Sequence, residues 1–321
     1  MSLLGALRRK RQQNEHVFSV EISPPMNYPG LVKTSELLEA LKALDLDALA
    51  ITNSTGGSFR LNPLAVVEVV QASMRVPIIV HITARDEGSY RTVYTHVDQM
   101  ALHGVAHVLI IRGDPSPVNS RQTDAYKFTT VELVKLMYDY SRQQNYALEI
   151  LVAGHPEWQS TLTKHMRYQK QKIDNGAQGI IANIVTDADS YCRYVDAALA
   201  HQVNVPIFPS VIPLTSLTRC EFLRKTLHVP VPSSVTERLS RFTEKEDLRR
   251  AGVEISGQIA QELLRRGAPG INFNVIFPQD VQSVKELLQQ VRGYASIWEK
   301  YQIDDPEEIE YFGGLREGYF K

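Results

Sequence analysis

The chain reads as a (β/α)8 TIM barrel, and three features of the sequence lead there. Short apolar runs alternate with longer amphipathic stretches along the chain. The runs lack strict apolar–polar alternation, which suits strands buried on both faces, as in a parallel sheet. Eight such strand–helix units follow one another at roughly 25–40 residues each, the repeat of this barrel. A doubly wound open sheet is the structural competitor, but no GxGxxG follows the first strand. No linker or low-complexity stretch breaks the series, so one barrel domain is predicted over residues 17–293. A basic segment, 1–16, precedes it, and a C-terminal extension, 294–321, follows.

The first strand, VFSVEI (17–22), is rich in Val, Ile and Phe and stops before Pro24-Pro25. The remaining runs are LDALAIT (46–52), PIIVHIT (77–83), AHVLIIR (106–112), ALEILVAG (147–154), GIIANIV (179–185), VPIFPSV (205–211) and GINFNVI (270–276). Between them lie helical patterns such as SELLEALKAL (35–44), ELVKLMYDYSRQ (132–143) and ISGQIAQELLRR (255–266). Their Leu and Tyr stripes are core positions. The tail from Tyr294 is acidic and aromatic and reads as an appendage on the barrel or on a neighbouring subunit.

Among 321 residues, 43% are hydrophobic and 22% charged, the balance of an ordinary globular protein. A formal net charge of −1 gives no electrostatic reason to expect nucleic acid or an anionic membrane as partner. Cys192 and Cys220 match no metal-ligand spacing, so no metal is expected, and two thiols in so long a chain suggest a reducing cytosol. The start, MSLLGALRRKRQQNEH, lacks the features of a signal peptide, and no apolar run is long enough to span a bilayer. A soluble, cytoplasmic protein is the expectation.

In this fold active sites sit where strand C-termini meet the following loops. The polar residues there are Glu21, Thr52, His81 with Thr83, Arg112 to Asp114, His155 with Glu157, Asn183 and Ser210. Seven of the eight predicted strands thus carry functional side chains toward one rim. A carboxylate inside an apolar strand costs several kcal/mol to bury without a partner. Glu21 therefore reads as a site acid whose pKa desolvation raises, against the plainer reading of a buried ion pair. After VLII, Gly113 lets backbone approach a ligand, and Asp114 is placed to accept from a ring N–H; a turn with a local salt bridge is the alternative. An adhesion role for Arg-Gly-Asp has no support in a chain without secretory features. The loop Asn53 to Ser58 either cradles a phosphate, leaves space for a flat cofactor, or is simply a loop. On their own, His81 reads as a satisfied core histidine, His155 as slightly better placed, and Lys172 as a solvent-exposed helical lysine.

Together these segments resemble the methylenetetrahydrofolate reductase family, as a divergent member, from about Phe18 to Phe277. The pieces that carry the resemblance are FSVEISPP, AITNSTGGS, HITARD, VLIIRGDPSP, HPE, KIDNGAQGIIAN, IFPSVIPLTSL and GINFNVI, in order along the barrel. The resemblance implies an FAD-containing oxidoreductase of one-carbon metabolism. Hydride would pass from NAD(P)H through flavin to 5,10-methylenetetrahydrofolate, giving 5-methyltetrahydrofolate. It assigns Glu21 as the acid that helps open the methylene bridge, which explains a carboxyl kept in an apolar strand. Asp114 would serve catalysis, flavin and pterin together. Thr52, Asn53, His81, Arg112, Gly113, His155 and Lys172 would hold FAD, Arg112 and Lys172 suiting its phosphates. Asn183, where the family has Gln, and Arg219 would meet the folate.

The departures are also specific. Arg219 and Leu223 stand where the family has a folate-contacting Gln and an aromatic, and the strand-eight ending is Phe273 to Pro278 without its Arg. His165, Tyr168 and Gln171 replace other flavin contacts. Two further readings follow: a reductase fed by a partner flavoprotein or using another pterin, and a non-catalytic folate- or flavin-binding subunit of a methyl-transfer complex. A folate and a nicotinamide donor are the expected small-molecule partners; the assembly is left open between a homo-oligomer and a complex with a partner flavoprotein subunit.

Overall fold

Each of the eight apolar runs forms a strand in the structure, a computed structural model that describes residues 3–13, 15–54, 57–114 and 126–293. The strands are β1 (Val17–Ile22), β2 (Ala48–Ile51), β3 (Ile78–Thr83), β4 (His107–Ile111), β5 (Glu149–Gly154), β6 (Gly179–Ile184), β7 (Ile207–Val211) and β8 (Gly270–Val275). They are parallel and hydrogen-bonded in sequence order, and β8 returns to β1 to close the barrel. Thr55, Gly56, the stretch Pro115 to Ala125 and the extension from Tyr294 lie outside the described residues.

Burial on both faces explains the unbroken apolar runs. On β1 the outward set Phe18, Val20 and Ile22 joins the core under the helices. The inward set of the barrel, Val17, Ala48, Ala50, Ile79, Leu109, Leu151, Ile181 and Phe208, fills its interior. Each large apolar side chain so buried contributes about 1.5–3 kcal/mol.

Among the described residues eleven helices surround or cap the barrel: α1 (Leu3–Gln12), α2 (Leu31–Leu41), α3 (Pro63–Ser73), α4 (Tyr90–Leu102), α5 (Thr130–Gln143), α6 (Leu162–Asp174), α7 (Ala188–Ala200), α8 (Leu217–Lys225), α9 (Ser233–Leu239), α10 (Lys245–Arg265) and α11 (Asp280–Val291). Side-chain caps mark several starts: Ser89 accepts from Thr92 N, Asp187 from Ser190 N, and Thr129 forms a capping box with Glu132. None of the helices is long and apolar enough to cross a membrane.

Two boundaries differ from the sequence reading. α10 begins ten residues before the apolar pattern, because its polar first half is held by Arg249, which bonds Glu246 and Glu286. α2 begins at Leu31 rather than residue 35 and ends at Leu41, the next residues tightening into a 3-10 turn.

The larger difference is the N-terminal segment. Read as a basic stretch outside the barrel, it forms α1, whose Leu3, Leu4 and Leu7 pack on the inward-facing barrel side chains. Its first turn enters at the strands' N-terminal ends. There His107 Nε2 accepts from Leu3 N at 2.8 Å and Glu149 Oε2 accepts from Leu4 N at 3.3 Å. Those N–H groups have no partner within the helix, and Glu149 also suits the positive end of its dipole. The basic residues lie toward the outer end, where Lys10 pairs with Asp47 at 2.8 Å.

Candidate functional site

With the lower mouth plugged, the upper mouth is where chemistry can sit. β1 carries Ser19 and Glu21 on the inward side, and β8 carries Asn272 and Asn274 in register with them. Period-two geometry turns all four side chains the same way. Asn274 Nδ2 donates to Glu21 Oε1 at 2.9 Å, and Asn272 Nδ2 donates to Glu21 Oε2 at 3.3 Å. The orientation of Asn272 is itself set, since its Oδ1 accepts from Ser19 Oγ at 2.8 Å and its Nδ2 also reaches Ser210 Oγ at 3.1 Å.

Burial raises the Glu21 pKa to about 7, although the two amide donors favour the ionised form. Desolvation wins because the side chain stands among strand ends with only 19% of its surface open. His81, on β3, is buried too, and its Nε2 lies 3.9 Å from Glu21 Oε2. Desolvation lowers the His81 pKa to about 3, so the imidazole is neutral at the pH where the carboxyl is half protonated. His81 departs from the plain reading of a satisfied core histidine, for Nε2 is buried without a hydrogen-bond partner among the described residues.

Thr52 follows β2, with Oγ1 bonded to Ser23 Oγ at 3.1 Å, and Asn53 Nδ2 reaches Thr83 Oγ1 at 3.4 Å. After β4, Arg112 lies over the Tyr126 ring at 5.0 Å. Gly113 adopts φ +85°, and a Cβ there would stand 3.0 Å from Thr83 Cβ, so only glycine brings the backbone this close to β3. Asp114 is exposed on the rim, its carbonyl bonded by Arg85. Beyond β5, His155 Nδ1 and Asn183 Nδ2, from β6, both bond Glu157 Oε1, at 2.9 and 2.8 Å. The His155 ring stacks on Trp158 with centroids 3.9 Å apart and planes 7° apart.

Lys172 departs from the solvent-exposed position that a helical lysine ordinarily takes. It is 5% exposed on α6, with its ammonium 4.9 Å from the Tyr168 ring centre, and burial lowers its pKa to about 8. Among the described residues no carboxylate pairs with it. His165, at one of the altered flavin positions, is enclosed by Gln169 and Tyr194 at 3.1 and 3.3 Å, and Tyr168 shares a hydroxyl–hydroxyl bond with Thr130. Arg219, expected at the substrate, instead has both terminal nitrogens on Asp280, at 2.9 and 3.2 Å, and the pair is buried. Asp280 also accepts from Ile276 N and Phe277 N, so the pair ties α8 to the turn after β8. The guanidinium is thereby committed to the fold.

The strand ends thus bring Glu21, His81, Thr52, Asn183 and His155 to one mouth, with the Arg112 to Asp114 turn on its rim and Lys172 set back on α6. Sequence reading missed Asn272 and Asn274 as the partners of Glu21. Their signal was present, since polar residues two apart in GINFNVI match Ser19 and Glu21 two apart in VFSVEI.

A parallel barrel plugged below, with polar side chains gathered at the strand C-termini above, has the layout of a barrel enzyme. Residues 6–291 match the family model described as methylenetetrahydrofolate reductase, and the chain belongs to that family. It is 24% identical to methylenetetrahydrofolate reductase 1 of Schizosaccharomyces pombe, covering 80% of this chain and 43% of that one. The 5,10-methylenetetrahydrofolate reductase of Pectobacterium carotovorum is 23% identical, covering 79% of this chain and 84% of that one. The chain spans less than half the length of its fungal and plant relatives, 43% of the fission-yeast protein and 47% of the probable NADH enzyme of Oryza sativa. Among solved structures, a Clostridium thermocellum protein described as binding two copies of 5-methyl-5,6,7,8-tetrahydrofolic acid has the same fold. Its TM-score is 0.67 at 17% identity, over 89% of this chain and 98% of that one.

Proposed function

We propose that this chain is a flavin-dependent oxidoreductase that reduces 5,10-methylenetetrahydrofolate to 5-methyltetrahydrofolate with hydride from NAD(P)H. The observation that carries the reading is Glu21, a carboxyl held at a pKa of about 7 at the mouth of the barrel. Family membership and the folate-binding structural neighbour support the substrate class, and relatives named as NADH or NADPH enzymes support the donor.

The residues present fit FAD. Lys172 is a buried ammonium with no carboxylate partner among the described residues, which suits a phosphate. Buried polar atoms at the mouth, His81 Nε2 and Asn274 Oδ1, have no hydrogen-bond partner among the described residues. Arg112, Lys172, Thr52, Asn53, His81, Gly113 and His155 would hold the group, which when bound accepts hydride from the nicotinamide and delivers it to the folate.

The chain's own residues govern the proton. Glu21 holds it on its carboxyl because ionisation in this setting is costly, and can pass it to the bridge nitrogen that departs as the methylene bridge opens. Asn272 and Asn274 fix the carboxyl's direction and stabilise the carboxylate left behind. His81 does not compete for the proton, since its pKa is about 3. Asp114, on the rim, would accept from pterin N–H groups, and Asn183 would meet the same ligand.

The test separates two half-reactions followed by flavin absorbance. Replacing Glu21→Gln should lower reoxidation of reduced flavin by methylenetetrahydrofolate by at least about 100-fold, the usual scale of a positioned acid, and leave reduction by NAD(P)H within about twofold. In the wild type the folate step should fall about tenfold per pH unit above 7, as Glu21 loses its proton. Undiminished folate turnover in the glutamine variant would sink the proposal.

A further inference from the structure

We infer that Glu157 is a positioning residue that sets the hydrogen-bonding polarity of the mouth between β5 and β6, and so the kind of ligand edge it accepts. The geometry stands on its own; the identity of the ligand rests on the pterin reading above.

The side chain of Glu157 is 5% exposed, and its Oε1 meets two groups, His155 Nδ1 at 2.9 Å and Asn183 Nδ2 at 2.8 Å. A carboxylate oxygen only accepts, so each facing atom is a donor. For Asn183 this fixes which end of the amide faces inward to Glu157 and which is left over. The NH2 is used, and Oδ1, which takes no hydrogen bond among the described residues, becomes the group offered to a ligand. For His155 it places the hydrogen on Nδ1 and leaves Nε2 as an acceptor in the neutral ring. Stacking on Trp158 holds that ring in one orientation.

Asn183 sits at the β-bulge between Ala182 and Ile184 at the top of β6, and its amide reaches Glu157 at the mouth. Among the described residues only Glu157 chooses between the two faces of its amide, whose oxygen and nitrogen are nearly the same size. The mouth therefore presents acceptors to a ligand, and suits a heterocycle edge rich in N–H, such as a 2-amino-4-oxopteridine. A site built this way discriminates strongly against a ligand that brings only lone pairs, because buried polar groups are then left unpaired. The second carboxylate oxygen, Oε2, is buried with no hydrogen-bond partner among the described residues, which carries a cost in stability.

The test uses the full chain loaded with FAD. Glu157→Gln keeps the shape but can present either end of its own amide, so Asn183 is no longer held in one sense. The dissociation constant for 5-methyltetrahydrofolate and the KM for methylenetetrahydrofolate should each rise about tenfold, the worth of one hydrogen bond to a fixed group, with kcat within about twofold. In the exchanged pair E157Q/N183D the glutamine NH2, standing where Oε1 meets both groups, would donate to the introduced carboxylate and to His155 Nδ1, and the carboxylate's other oxygen would face the ligand as an acceptor, so affinity should recover to within about threefold of wild type. A single variant that binds like wild type, or an exchanged pair no better than the single one, overturns the inference. Nitrogen-15 NMR of the wild-type protein decides the geometry without any folate. His155 should carry hydrogen on Nδ1, and the Nε2–H form would overturn the assignment. A wild type that binds no folate but shows the Nδ1–H form would remove the functional proposal and leave the positioning role standing.

Discussion

At the scale of single residues, the site is made of groups that are each unstable where they stand. Glu21 ionises near pH 4.5 when unfolded and near 7 when folded. The folded state therefore holds the proton more tightly, and this contribution is fully present below about pH 4.5 and lost as pH rises through 7. Glu21→Gln should accordingly be more stable than wild type at pH 8 by up to about 3 kcal/mol and equal to it at pH 4, in urea titrations at both pH values. Lys172 is the cationic counterpart. Its folded pKa of about 8 lies below the ordinary 10.5, so ionisation opposes folding below pH 8 and ceases to matter above 10.5. Replacing Lys172→Met should raise the stability of the ligand-free protein at pH 7 by about 2–3 kcal/mol and, on the proposed flavin-binding role, weaken flavin retention at least about tenfold. Loss of both stability and flavin would mean that the ammonium already has a partner in the fold.

At the scale of elements, α1 shows how a segment with a basic surface can belong to the core. Its burying face is Leu3, Leu4, Ala6 and Leu7, and the exposed Arg8 and Arg9 follow immediately. Leu7→Ala should cost about 2–5 kcal/mol, as for other core leucines, whereas Arg8→Ala should stay within about 0.5 kcal/mol. Equal thermal midpoints for the two variants would place α1 outside the cooperative core. The Arg219–Asp280 pair makes a related point at α8. A guanidinium aligned by resemblance with a substrate contact is used here to join a helix to the turn after β8.

At the scale of the whole molecule, closure between β1 and β8 makes the site. A Cβ at Gly270 would collide with the backbone of Val17, the first residue of β1. Gly270→Ala should therefore destabilise by at least about 1–3 kcal/mol and loosen the β1–β8 ladder. Gly88→Ala, where a Cβ meets nothing within 4 Å, should be near neutral. If hydrogen exchange at Ser19 to Ile22 were unchanged in the Gly270 variant, closure would not depend on this contact. The same ladder brings Asn274 to Glu21 across 253 residues of chain, so a defect at closure should also lower the Glu21 pKa by admitting water.

The order of the eight strands, their parallel packing and the polar residues at seven of the eight strand ends were legible in the sequence, because burial on both faces writes itself as unbroken apolar runs. Glu21 stood out for the same reason, as a charge where the pattern has no place for one. Tertiary structure alone decided the rest. Asn272 and Asn274 became its partners through a register set by barrel closure, between residues 251 and 253 apart. Lys172 became buried and α1 became a plug through packing against strands far away in sequence. Local pattern records which residues avoid water, whereas the partner each one meets is settled only when the sheet closes.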